Sequence, residues 1–272
     1  MARAEALEQV IQVVGQAPAA FNLTGSYQTR WWLDGVRQAV DWLHDCCLAT
    51  VSKTLWACGI RLRRGRRHVH SPDPLYAEKI ARIATITWYS RQDPAHTVRL
   101  YQDEVTYYRR ASVAQGYTLT RVQPQPLAHQ GVGANTMRRI AGCLDAATGQ
   151  LFAWQRAHFD RHTLLHFYQE VEAAYPQADQ LFLIQDNWPV HWHADIREGL
   201  RGSKFTLVFL PTYAPWTNPI EKVWRKLYAE VLHLHPWADQ WDLAQQAVQR
   251  WLDHAAAPSL DLMRYTGLLC SA

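Results

Sequence analysis

The sequence predicts a two-part protein: a small all-helical region, then an α/β domain built on a mixed five-stranded sheet with flanking helices. Three observations carry this. After residue 96, strand-length apolar runs and helix-length amphipathic stretches follow in the order strand, strand, strand, helix, strand, helix, strand, helix. Ahead of residue 60 the periodicity is helical only. Between them lies Ser71-Pro-Asp-Pro74, where each proline holds the residue before it in extended backbone. The expected parts are residues 1–74 and 75–272.

Glu5 to Val14 reads as a short helix, with Leu7, Val10, Ile11 and Val14 on one side. Gly15 to Ser26 carries Gly and Pro breakers and reads as a linker. Trp32, Val36, Ala39, Val40 and Leu43 mark a second helix. A third runs from about Leu48 to Cys58, with Val51, Leu55 and Trp56 inward, and Gly59 stops it. Two short helices with a tight connection resemble a helix-turn-helix, which would turn Thr50, Ser52, Lys53 and Thr54 toward a DNA major groove. A plain helical bundle shows the same pattern. Arg61, Arg63, Arg64, Arg66 and Arg67 then fall close together, followed by His68 and His70. Beside such an element they point to phosphate contact, and Arg64 to Arg67 to an arm in a narrow minor groove.

In the second part, Tyr76 to Tyr89 leads in as a helix. Thr97 to Tyr107, Arg139 to Leu144 and Leu151 to Gln155 are the first three strands, the last two flanking the turn Ala147-Thr-Gly149. Gln115 to Asn135, with its glycines and prolines, is loop-like. Arg161 to Tyr175 is a helix closed by Pro176, and Leu181 to Gln185 the fourth strand. A helix from about Val190 to Leu200, the strand Phe205 to Leu210, a helix from Asn218 and a last helix from Asp239 to His254 complete the chain.

With 272 residues and 48% hydrophobic content, the chain has the makings of an ordinary globular core. No apolar run is long enough for a bilayer, and Met1-Ala-Arg-Ala-Glu lacks a signal pattern, so a cytoplasmic protein is expected. The five cysteines form no Cys-x-x-Cys pair, which argues against zinc and a disulfide frame. The net charge of +4 is compatible with nucleic acid without demanding it.

The candidate site centres on Leu207 to Glu221. It reads as a buried strand, a loop with two prolines, and a helix start with Asn218 as N-cap, Pro219 at the first helical position and Glu221 completing a capping box. Taken alone, Glu221 reads first as a helix cap. Two other acids alter that reading. Asp103 follows the apolar run ending at Tyr101, and Asp186 follows the run Leu181 to Ile184. All three acids thus stand at or just past the C-terminal ends of apolar runs, the edge where α/β sheets form sites.

Gln102-Asp-Glu104, Gln185-Asp-Asn-Trp-Pro-Val-His191 and Leu210-Pro-Thr-Tyr-Ala-Pro-Trp-Thr-Asn-Pro-Ile-Glu-Lys-Val-Trp224 resemble, in order and spacing, the core of bacterial insertion-sequence transposases of the 630 type, in the mariner superfamily. The resemblance covers most of the chain from Trp31 onward, and its third motif is long and specific. It implies a ribonuclease-H-like catalytic domain in which the first and fourth strands are neighbours, with Asp103, Asp186 and Glu221 as an Asp-Asp-Glu triad. It implies DNA cleavage at element ends, then attack of the 3′-hydroxyl on target DNA, typically at a TA step. The implied partners are terminal inverted repeats, target DNA and a second copy of the chain on DNA; the implied setting is the bacterial nucleoid. Members commonly carry two helix-turn-helix units, whereas one fits before Pro72 here. A shortened remnant that binds DNA without cutting is therefore the alternative reading.

The chemistry agrees with the acids. In-line phosphodiester displacement is served by two divalent ions about 3.5–4 Å apart. Mg²⁺ (or Mn²⁺) takes hard oxygen ligands, and bound ions remove the repulsion among three converging carboxylates. Two ions per site, held by Asp103, Asp186 and Glu221, are expected. Asn187, His191 and Asn218 are placed near the site. Glu104 points to the opposite strand face from Asp103 and reads as structural. His191-Trp-His193 and His233-Leu-His235 lack the further ligands zinc needs. Trp216, beside Glu221 in a proline-rich loop, reads as loop packing or as a platform for an unpaired base.

Overall fold

A computed structural model of the chain describes residues 3–23, 30–62, 70–118 and 124–269. Arg63, Arg64, Arg66 and Arg67, and with them the minor-groove arm, lie outside these residues. Two compact units emerge, residues 1–68 and 69–272.

The first unit holds α1 (Arg3–Val14), α2 (Leu33–Ala39) and α3 (Leu48–Ala57). Val10, Val13, Val36, Val40, Leu43 and Val51 form its core. The second helix is shorter than its apolar pattern, because Val40 turns extended (φ −120°) and Asp41–Leu43 follows as a 3₁₀ turn. Trp56, expected inward, is 66% exposed, and the Arg61 guanidinium lies 3.9 Å over its ring. Helical geometry gives the reason: Leu55, four residues after Val51, continues the buried stripe, and Trp56 is turned well past it. Thr50 and Lys53 are exposed, while Ser52 and Thr54 are half-buried.

In the second unit, α4 (Tyr76–Gln92) precedes β1 (Thr97–Tyr108), β2 (Met137–Asp145) and β3 (Leu151–Arg156). Then come α5 (Arg161–Ala173), β4 (Gln180–Gln185), α6 (Ala194–Gly199), β5 (Phe205–Phe209), α7 (Ile220–Leu227), α8 (Trp241–Ala255) and α9 (Leu260–Thr266). The sheet order is β3-β2-β1-β4-β5, with β2 antiparallel to both β1 and β3, and β4 parallel to both β1 and β5. The first and fourth strands are neighbours, as expected. Alternation along β1 separates two cores. Tyr101 and Tyr107 join residues of α4, α7 and α8 on one face, and Val98 and Leu100 join α5 and α6 on the other.

The first strand runs as expected, with Asp103 in its interior, because β2 keeps pairing with it from Asp103↔Gly142 through Tyr108↔Met137. Two sequence expectations need correction. The helix expected over 190–200 is broken at His193, whose extended backbone separates a 3₁₀ turn, Pro189–Trp192, from α6. A further helix, α9, follows α8, started by the Ser259 side chain accepting from Leu262 N–H and stopped by Gly267 at φ 82°.

Candidate active site

Asp103 lies in the interior of β1, on the face that packs against α7. Its cross-strand partner is Gly142, and a Cβ there would stand 2.5 Å from Cη2 of Trp224. The absent side chain lets the Trp224 indole lie against the sheet, where Nε1 donates to Asp103 Oδ2 at 3.0 Å. Asp186 follows the last residue of β4, and its Oδ1 accepts from Trp188 N–H at 2.9 Å. Glu221 is the second residue of α7.

The Asn218 reading is corrected. Its side chain caps nothing; the helix begins at Ile220, and the buried Asn218 amide instead donates to the Gln102 carbonyl at 3.1 Å. That bond ties the root of α7 to the strand that carries Asp103. Asn187 has the equivalent task on the other side: its amide donates to Leu210 O at 2.7 Å, holding the Asp186 turn against the end of β5. The wall that follows is fastened as well. Thr212 N–H donates to Asp73 Oδ2 (2.8 Å) and Thr212 O accepts from Ser71 Oγ (2.7 Å). Lys79 pairs with Asp73 at 2.9 Å. Tyr213 then takes left-handed backbone, φ 54°, with its ring 75% exposed.

These elements enclose a cleft of about 330 Å³ lined by Asp103, Asp186 and Glu221, by Asn187, Trp188 and Asn218, and by the Leu210 to Pro215 wall. Burial, then the charges of Glu221, Glu104 and Asp186, push the Asp103 carboxyl up to about 8. Burial also raises Glu221; Arg225 opposes this and Asp186 adds to it. For Asp186 burial pulls upward, but the His191 ring 3.4 Å away and the Trp188 N–H outweigh it and lower the carboxyl. His191 does not line the cleft. It is fully buried behind Asp186, and despite burial its two acid neighbours, Asp186 and Glu104, push it up to about 9.

The donor set is hard oxygen in an open, carboxylate-lined cleft whose most buried acid is pushed upward by burial and then by its acid neighbours, which suits a divalent cation. Among the described residues, no three His, Cys, Asp or Glu side chains stand close enough to form a finished ion site, so the three acids share the cleft without closing on one point. The same observation leaves both His-x-His pairs without a zinc set. Of the residues placed toward DNA, Arg61 is folded back, donating to Trp56 O and Ile60 O at 2.8 and 3.1 Å. Trp216 is half exposed, its Nε1 3.4 Å from the Tyr76 hydroxyl. Sequence reasoning missed Gly142 and the polar end of Trp224; a glycine inside a strand was the available signal.

The family described as DDE superfamily endonuclease matches residues 98–244, more than half of the chain. The chain belongs to that family. It is therefore of an enzyme family, and its resemblance to insertion-sequence 630 and mariner transposases is borne out. The "Insertion element IS630 uncharacterized 39 kDa protein" of Shigella sonnei is 24% identical over 239 residues, 86% of this chain and 67% of that protein. Among solved structures, the Mos1 transposase paired-end complex with left transposon end has a TM-score of 0.63 at 15% identity, covering 98% of this chain and 74% of that one. The mariner Mos1 paired end complex with Mg has a TM-score of 0.64 at 12% identity, covering 98% and 76%. At such identities these structures show the shared fold: the mixed five-stranded sheet with flanking helices of the ribonuclease-H-like DDE endonucleases. No helix among the described residues is long and apolar enough to cross a membrane.

Proposed function

We propose that this DDE endonuclease is a metal-dependent transposase that cuts DNA at the ends of its own element and joins the freed 3′-hydroxyl to target DNA, at TA steps. The carrying observation is the meeting of Asp103 from β1, Asp186 from the end of β4 and Glu221 from the start of α7 in one cleft. In this reading the three carboxylates hold two Mg²⁺ or Mn²⁺ ions. Bound there, the ions supply the charge that activates the attacking oxygen and stabilises the leaving one. Asn218 and Asn187 fix the supports from which Glu221 and Asp186 project. The raised Asp103 supports the same reading, because a cation entering the cleft favours its ionised form. No nucleophilic side chain is needed, since water and then the DNA 3′-end attack phosphorus. Similar folds have been solved with transposon ends and with Mg.

The helical unit, through Thr50, Ser52, Lys53 and the basic segment Arg61 to Arg67, is the element that engages the terminal repeats, and two copies pair two ends. The setting is the bacterial nucleoid. The experiment is nicking of a supercoiled plasmid bearing the element ends, with Mg²⁺ or Mn²⁺, by the wild type and Asp186→Ala. Cutting by the wild type alone supports the proposal. Equal nicking by both proteins refutes the triad, and DNA binding without cutting by either establishes the remnant reading instead.

A further inference from the structure

Behind the cleft, on the face of β1 opposite Asp103, stands a fourth acid. Glu104 is largely buried, and its Oε1 accepts from Gln102 Nε2 at 2.7 Å, which leaves Oε2 turned to His191. His191 is enclosed on every side. Its Nδ1 is 3.3 Å from the Tyr168 hydroxyl, which donates to Gln185 Oε1 at 3.0 Å, and Trp188 packs edge-on against its ring. The other ring nitrogen, Nε2, is buried without a hydrogen-bond partner. It points between two carboxylates, 3.4 Å from Asp186 Oδ1 and 3.6 Å from Glu104 Oε2. Both separations exceed an ordinary N–H···O bond, and one N–H cannot serve two acceptors well. Given to Asp186, it holds Oδ1 toward the interior. Given to Glu104, it leaves Asp186 Oδ1 with the Trp188 N–H as its one donor and Oδ2 to the cleft.

We infer that Glu104 is a positioning residue: through His191 it takes up the ring N–H and so frees Asp186 to bind a divalent cation. This rests on the triad reading above. Outer partners of metal ligands orient them in this way, and their loss weakens metal binding about 10- to 100-fold. Glu104 itself touches neither ion nor DNA.

The test is Mn²⁺ binding by the full chain without DNA, read from the paramagnetic resonance of free Mn²⁺, with thermal melts to show folding. Glu104→Gln keeps shape and removes charge, so the N–H stays with Asp186; Mn²⁺ affinity falls by about 10- to 100-fold. In a His191→Asn background the route from Glu104 to Asp186 is gone and only the direct effect of its charge on Asp103 is left, so the same Glu104→Gln change costs far less than it does in the wild type. Unchanged affinity in Glu104→Gln, or losses that multiply in the double variant, overturns the inference. Should Glu104→Gln fail to fold, Glu104→Asp keeps the charge and withdraws the oxygen; wild-type affinity there overturns it equally. Asp186→Ala separates the two readings. If it binds Mn²⁺ as the wild type does, the triad falls; if it loses the ion while the Glu104 and His191 effects multiply, only the positioning role falls.

Discussion

Gly142→Ala places one methyl group against the centre of the site. The new Cβ would meet Trp224 at 2.5 Å (Cη2) and 2.8 Å (Cζ2), and Ile220 Cδ1 at 3.3 Å. Carbon atoms rest at about 3.5–4.0 Å, so the indole has to retreat by roughly 1 Å. It has little room, being 3% exposed within the core under α7. Overpacking of this kind costs about 1–3 kcal/mol. For a domain of this size each kcal/mol moves Tm by about 2–4 °C, which gives a calorimetric drop of roughly 2–12 °C. The functional loss is larger in proportion. Trp224 carries the N–H that holds Asp103, and it sits one turn after Glu221 on the same helix. A shift of about 1 Å in catalytic groups costs up to about 100-fold in rate. Plasmid nicking and calorimetry on the same preparation check both numbers. An unchanged melting temperature with unchanged nicking would refute the claim that Gly142 exists to admit Trp224.

Asp103 gives a pH signature in chelator. Its carboxyl, ordinarily at 3.8, is pushed up to about 8, so between those values the folded protein keeps a proton that the unfolded chain has released. Stability therefore falls as pH rises through that window and levels off above it; Asp103→Asn flattens the melting-temperature profile, and a profile equally steep in both proteins contradicts it. Asp73 has the opposite sign: Lys79, with Thr212 and Leu75 N–H, holds its carboxyl well below the usual range. Its stabilisation is present above the ordinary carboxylate value and is lost as pH falls below it, so Asp73→Asn melts below wild type at neutral pH and the gap closes in acid. In the helical unit, Lys53→Ala lowers the salt slope of DNA binding by about 1 if Lys53 meets a phosphate; an unchanged slope in a fluorescence titration removes Lys53 from the interface.

Much of the sheet was legible because buried strands leave continuous apolar runs. Leu181 to Gln185 and Phe205 to Leu210 are of this kind, and they are observed within a residue of their expected limits. β1 was legible to within a residue as well, although the polar Gln102-Asp-Glu104 interrupts its apolar run while still paired with β2. Asp103, Asp186 and Glu221 were readable from their place at the ends of such runs and from a long third motif. Asn218 was readable as a site residue but not in its manner of action: local sequence offers a cap, while the bond it makes crosses to Gln102, far off in the chain. His191 was readable as near the site and Glu104 as a back-face residue, but strand alternation said nothing of the two meeting there.

The fastening of Thr212 by Ser71 and Asp73 bears on how this enzyme can be dissected. The proline-flanked stretch that reads as a tether between parts is, on its second side, a clasp. A fragment cut back to Tyr76, where α4 begins, would keep every strand and all three acids. It would nonetheless leave the rim of the cleft unlatched, and any silence in such a fragment would speak of the missing clasp before it spoke of the missing helical unit.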